Sequence, residues 1–202
     1  MERRRQLVER QPILGRLKIA LADGAPAGGS WSKGAVGEEK FGAALAAMSD
    51  TGLLVLHDRR IPGSKANIDH LVVTPAGVWV VDAKRMKGLI ECVDNGGWFR
   101  TDLRLRVRGR DQTEKLVGGV HRQVDQVTNA LADGPVAGVQ VRGALCFVDA
   151  EFRLFAKPFA VQGVVVTWGK ALRERLLLPG PIDPEQAAAV HRHLARSFPP
   201  AV

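Results

Sequence analysis

The chain has 202 residues, two cysteines and 46% hydrophobic residues, with 29 Lys and Arg against 21 Asp and Glu for a formal charge of +8. This is a length and composition that can bury a core within one domain, which excludes a disordered chain, a collagen-like repeat and a disulfide-stapled miniprotein. The basic surplus suggests a polyanionic partner. Cys92 and Cys146, each inside an apolar run, read as two buried thiols in a reducing compartment rather than a disulfide framework.

Residues 1–30 are basic and then loose, with Arg3, Arg4 and Arg5 followed by a Gly-, Ala- and Pro-rich stretch. No signal-peptide core or membrane span is read there or elsewhere, so the expectation is a cytoplasmic protein with no membrane partner, its domain running over 31–202. The spacing of Val36, Phe41, Leu45 and Met48 predicts a first helix over 35–48, stopped by Gly52, with Glu38 in its opening turn.

Four β-type runs follow, over 53–56, 67–73, 78–84 and 89–93, separated by Pro- and Gly-containing turns, and they predict a meander. A fifth run from Trp98 to Val107 alternates Leu103, Leu105 and Val107 with charged residues, which predicts a strand giving the sheet a basic margin. Leu116, Val120, Val124, Val127 and Leu131 predict a helix over 112–131. Two strands (142–148 and 161–167), a short helix (170–177) and a last helix with Asp183 as N-cap and Pro184 as first residue complete the chain. The order is α, β-meander, α, ββ, α. It predicts an α/β fold with a mixed central β-sheet flanked by helices, the chemistry lying in a core over 34–131 and the C-terminal strands and helices over 140–197.

The turn Thr74-Pro75-Ala76-Gly77 sets a register, because Pro suits the first central position of a tight turn. If Thr74 faces Gly77, then Val73 faces Val78, Leu71 faces Val80 and Asp69 faces Asp82, with Lys84 two residues further on the same face. Ile68, Val72, Trp79 and Val81 fall on the other face, so the hairpin is apolar on both sides and central in the sheet. Two carboxylates opposed at roughly 5 Å repel each other and need compensation. A divalent cation, the Lys84 ammonium or a shared proton would each serve, and oxygen ligands of this kind suit Mg²⁺ or Mn²⁺. The plainer alternative has one aspartate capping a turn and the other paired with Lys84 or Arg85.

Taken together, Gly34-Ala35-Val36-Gly37-Glu38, Asn67-Ile68-Asp69-His70-Leu71, Gly77-Val78-Trp79-Val80-Val81-Asp82-Ala83-Lys84 and Gly88-Leu89-Ile90 resemble the nuclease-related domain (NERD), a branch of the restriction-endonuclease-like PD-(D/E)XK superfamily. The resemblance covers residues 34–131, and Ile68 stands where that superfamily often has proline. It implies that Asp69 is a metal-binding aspartate, Asp82 and Lys84 the (D/E)-X-K pair, Glu38 the acidic residue of the first helix, and Gln123 or Gln126 a glutamine of the following helix. The implied activity is Mg²⁺- or Mn²⁺-dependent hydrolysis of phosphodiester bonds in nucleic acid, DNA first; a catalytically silent binding or interaction module with the same fold is the alternative. A homodimer is compatible with the sequence.

Such chemistry needs charge neutralised on the phosphoryl oxygens and an oriented water, which two carboxylates, an ion and a lysine can supply. Arg104, Arg106, Arg108 and Arg110, at every other position, would present a row of guanidinium groups to phosphates, or equally a solvated strand face. Trp98 and Trp168 would stack on bases or pack in the core. His57-Asp58 lacks the further ligands of a phosphohydrolase metal site, and His191 and His193 read as surface or capping residues. No phosphate-binding glycine loop and no nucleophile elbow is present.

Overall fold

The computed structural model describes residues 51–132 and 137–201. The expected basic lead-in and the helix over 35–48 that carries Glu38 lie outside the described residues.

Strands β1 (Leu54–Arg60), β2 (Asn67–Thr74) and β3 (Gly77–Lys84) form the meander, each antiparallel to the next. Thr74 closes the β2–β3 turn: its hydroxyl donates to the Gly77 carbonyl at 2.9 Å and accepts from the Ala76 N–H at 3.1 Å. The turn yields the expected register, Val73 opposite Val78 and Leu71 opposite Val80.

The fourth and fifth runs split from this sheet. Strands β4 (Ile90–Asp94), β5 (Leu103–Val107) and β6 (Arg110–Asp111) make a separate three-stranded antiparallel sheet, so the basic run is not a margin of the main one. The predicted strand over 98–107 shrinks to its last five residues, because Asp94 and Gly96 build a turn ahead of it. Cys92 is exposed, against expectation, since the small sheet buries only the side that carries Ile90, Leu105 and Val107; Cys146 is buried as expected.

A π-helical turn (Thr113–Val117) leads into α1 (Gly118–Ala132), which returns the chain to β7 (Val141–Phe147), parallel to β3. The predicted strand over 161–167 is a hairpin, β8 (Phe159–Val161) and β9 (Val164–Trp168), turned by Gln162 and Gly163 at φ 50° and 84°. β9 lies parallel to β7, giving the order β1-β2-β3-β7-β9-β8, a mixed six-stranded sheet with β2 and β3 inside it.

Helices cover both faces. Leu71, Val73, Val78 and Val80 pack with Val127 and Leu131 of α1 and with Ala187, Val190 and Leu194 of α3 (Pro184–Ser197). Gly143 lets α1 approach, since a Cβ there would lie 2.5 Å from Val120 Cγ1. Asp183 caps α3 by accepting from the Gln186 N–H at 2.8 Å, and His193 Nε2 contacts the Ala130 carbonyl at 2.7 Å, tying α3 to α1. On the other face Val72, Trp79 and Val81 pack with Leu172 and Leu176 of α2 (Gly169–Leu176). Ile68 departs from its expected side and joins the Leu71 cluster; alternation breaks at Asp69, where the β1–β2 ladder skips a pair and the facing Asp58 has φ 43°. No helix of the described residues is long and apolar enough to cross a membrane.

Candidate active site

Asp69 and Asp82 are brought together at the end of the two central strands, but not as a ladder pair. Instead of pairing across from Asp82, Asp69 turns its carboxylate to the β3 backbone, where Oδ2 accepts from the Ala83 N–H at 3.0 Å. Asp82 is buried, with 6% of its surface exposed, and Lys84 Nζ lies 2.5 Å from its Oδ1. Of the three compensations open to the sequence, the lysine is seen in contact with Asp82. Arg85 does not take part, for its Nε donates to Asp149 beyond β7.

The lysine does not fully compensate the buried charge. Burial first, and Asp69 beside it, push the Asp82 carboxyl up to about 6 against the opposing pull of Lys84. Lys84 is the cation on the buried Oδ1, and Asp69 is the carboxylate beside it.

Two histidines that the sequence reading left out of the site lie beside it. His70 follows Asp69 in β2, opposite His57 of β1, and their Nδ1 atoms are 2.9 Å apart. One ring must donate and the other accept, so the two cannot both be protonated in this geometry. Burial, then His57, push His70 down to about 4, with Asp82 and Asp58 pulling the other way. The signal available in the sequence was a histidine at a buried position of an otherwise apolar strand.

Gln123 of α1 reaches this end of the sheet: Nε2 donates to the Asn67 carbonyl at 3.2 Å, two residues before Asp69, and Oε1 is buried without a donor. Gln126 is exposed on the same helix, which separates the two glutamines the sequence left open. Glu38 lies outside the described residues.

The arginine row does not form. Arg104 and Arg106 share a face of β5, but Arg108 and Gly109, at φ 53° and 73°, are the central residues of the β5–β6 turn, and Arg110 returns on β6 opposite Val107. Arg104 Nε contacts both Asp102 carboxylate oxygens at 2.9 Å, and Arg106 donates to Asn95. Trp168 packs against Phe152, centroids 4.9 Å apart, whereas Trp98 is exposed.

A hard divalent cation fits the residues of this centre. Its donors are two neighbouring carboxylates on adjacent strands, one of them buried and pushed up by burial and by the other carboxylate, a strain that a cation relieves. Among the described residues no group of three or more His, Cys, Asp or Glu converges as a metal cage, so the two aspartates need a further donor.

The family model for the nuclease-related domain matches residues 33–148, more than half of the chain and all of the site just described. No curated protein and no solved structure gave a match.

Proposed function

Because the chain belongs to the nuclease-related domain family, we propose that it is a metal-dependent nuclease that hydrolyses phosphodiester bonds of nucleic acid, DNA in particular, in the cytoplasm. The observation that carries this reading is the buried Asp82 carboxylate with Asp69 and Lys84 beside it at the end of the two central strands.

Asp69 and Asp82 would hold Mg²⁺ or Mn²⁺, with Glu38 proposed as the third carboxylate. The ion supplies Lewis-acid charge neutralisation at the scissile phosphate. The chain's own groups do the rest. Asp69 is fixed through Oδ2 by the Ala83 N–H, which holds its carboxylate beside Asp82. The Lys84 ammonium, beside Asp82, would orient the attacking water and balance charge developing on the phosphoryl oxygens. Gln123 Oε1, an acceptor without a donor, is suited to fix the second proton of that water. A second reading, a binding module without turnover, is favoured by the Lys84–Asp82 ion pair, which neutralises the site without any ion.

Cleavage of labelled single-stranded, duplex and structured DNA and RNA, with Mg²⁺, with Mn²⁺ and in EDTA, tests the proposal. Metal-dependent cleavage of DNA is the expected result. Binding without cleavage of any substrate would put the second reading first.

A further inference from the structure

We propose that Trp98 and Phe99, at the tip of the β4–β5 hairpin, are a stacking platform for unpaired bases, so that the substrate of the site carries a single-stranded segment. The choice of nucleic acid as ligand rests on the nuclease reading; the platform itself rests on the hairpin.

Both rings are in solvent, Trp98 at 94% and Phe99 at 96% exposure, whereas Trp79 in β3 is buried; Phe155 is exposed too, but as a single ring. Their display is built by the local backbone. The Arg100 N–H donates to the Gly97 carbonyl at 3.3 Å, which makes Trp98 and Phe99 the two central residues of a tight turn. Below them the Asp94 carboxylate accepts the N–H groups of Gly96 and Asp102, each at 2.8 Å, and the Asn95 N–H donates to the Asp102 carbonyl at 2.9 Å. Gly96 is required, because a Cβ there would lie 1.8 Å from the Arg100 carbonyl oxygen. The turn is therefore ordered before any partner arrives.

Two adjacent exposed aromatic rings offer a large apolar area with few rotamers to freeze, and a nucleobase presents a matching flat face whatever its sequence. Charge favours a nucleic-acid strand over an apolar protein surface: residues 90–111 carry five arginines against four acids, with Glu91 paired to Arg153 and Asp102 to Arg104, while Asp94 and Asp111 keep their charge as they accept backbone N–H groups. Arg100 follows Phe99 in the chain. The hairpin also belongs to the same end of the fold as the aspartates: β4 follows the Lys84 end of β3, and Arg108 lies across Gly88 in that connection while its N–H donates to the Leu89 carbonyl at 3.0 Å.

The test uses the full chain in EDTA, with fluorescein-labelled oligothymidylate and a blunt duplex as probes, comparing wild type, Trp98→Phe and the double variant Trp98→Ala/Phe99→Ala. Both positions are exposed, so unchanged melting temperatures are expected of the variants. The double variant should bind oligothymidylate about ten-fold more weakly or worse and the duplex as wild type does. Oligothymidylate should quench wild-type tryptophan fluorescence, and Trp98→Phe should lose that quench. Equal oligothymidylate affinity of wild type and double variant, no binding of either probe, or self-association of the wild type that the double variant abolishes would each overturn the proposal. Mg²⁺-dependent cleavage of the duplex, measured alongside, separates the two ideas. Cleavage with unaltered oligothymidylate binding removes the platform and leaves the nuclease, while the Trp98 quench without cleavage does the reverse.

Discussion

The Asp69 carboxylate accepts the backbone N–H of Ala83, the residue that follows Asp82, at 3.0 Å. A side chain of one strand thus does what a ladder carbonyl does elsewhere, and it holds one oxygen of Asp69 in place at the edge of the second carboxylate. Because Ala83 is only 4% exposed, removing the acceptor leaves a buried donor unmet. Asp69→Ala is therefore expected to be less stable than Asp69→Asn by about 1–2 kcal/mol in urea unfolding without metal. Equal stability of the two variants would show that the contact contributes nothing to the fold.

Function and stability pull apart at Asp82. An ion that binds only the folded state stabilises it by mass action, about 2.7 kcal/mol at a hundred-fold excess over Kd. Mg²⁺ or Mn²⁺ should raise the melting temperature of the wild type, and Asp82→Asn should blunt the rise while melting above the wild type in EDTA at neutral pH. Thermal scans with and without metal check both parts; a wild type indifferent to metal speaks against the site.

The pH dependence of stability in EDTA has two opposing sources. Asp82 is raised from 3.8 to about 6, so the folded state takes up this proton first and gains stability as pH falls through that window. His70 is lowered from 6.5 to about 4, so the unfolded state takes up its proton first and stability is lost over much the same range. His70→Gln should remove the loss, so that melting temperature rises on acidification, whereas Asp82→Asn should remove the gain and steepen the fall. Parallel profiles for the two variants would contradict the assignment.

Lys84 is expected to act mainly in the transition state. Lys84→Met should lower cleavage by about 10²–10⁴-fold, the usual scale for a positioned proton-handling group, with nucleic-acid affinity nearly unchanged. Single-turnover cleavage and anisotropy binding on one substrate separate the effects, and equal losses in both would make Lys84 an ordinary phosphate contact.

Much of the site was legible because its positions are fixed by strong local rules. Thr74-Pro75-Ala76-Gly77 admits few turns, and that turn alone placed Leu71 opposite Val80 and brought Asp69 to Asp82. Asp183 and Pro184 marked the start of α3 for the same kind of reason. The misreadings share a cause too. Arg108-Gly109 and Gln162-Gly163 are hairpin turns whose first central residue is left-handed without being glycine, a conformation a period-2 pattern does not announce. Alternation was therefore carried through both turns, which produced a row of four arginines and a single strand in place of a hairpin. His70 was passed over because its partner, His57, comes from another strand, and only the β1–β2 register brings the rings to 2.9 Å.

The central claim is that Asp69 and Asp82 form a metal-dependent centre for phosphodiester hydrolysis. Its most direct test is Mg²⁺-dependent cleavage of DNA by the wild type and by Asp82→Asn purified side by side, with the fold of both confirmed by thermal melting. The account predicts cleavage by the wild type that EDTA abolishes, and none above background by the variant. Equal cleavage by the two proteins, or a wild type that cleaves as well in EDTA as in Mg²⁺, would contradict it.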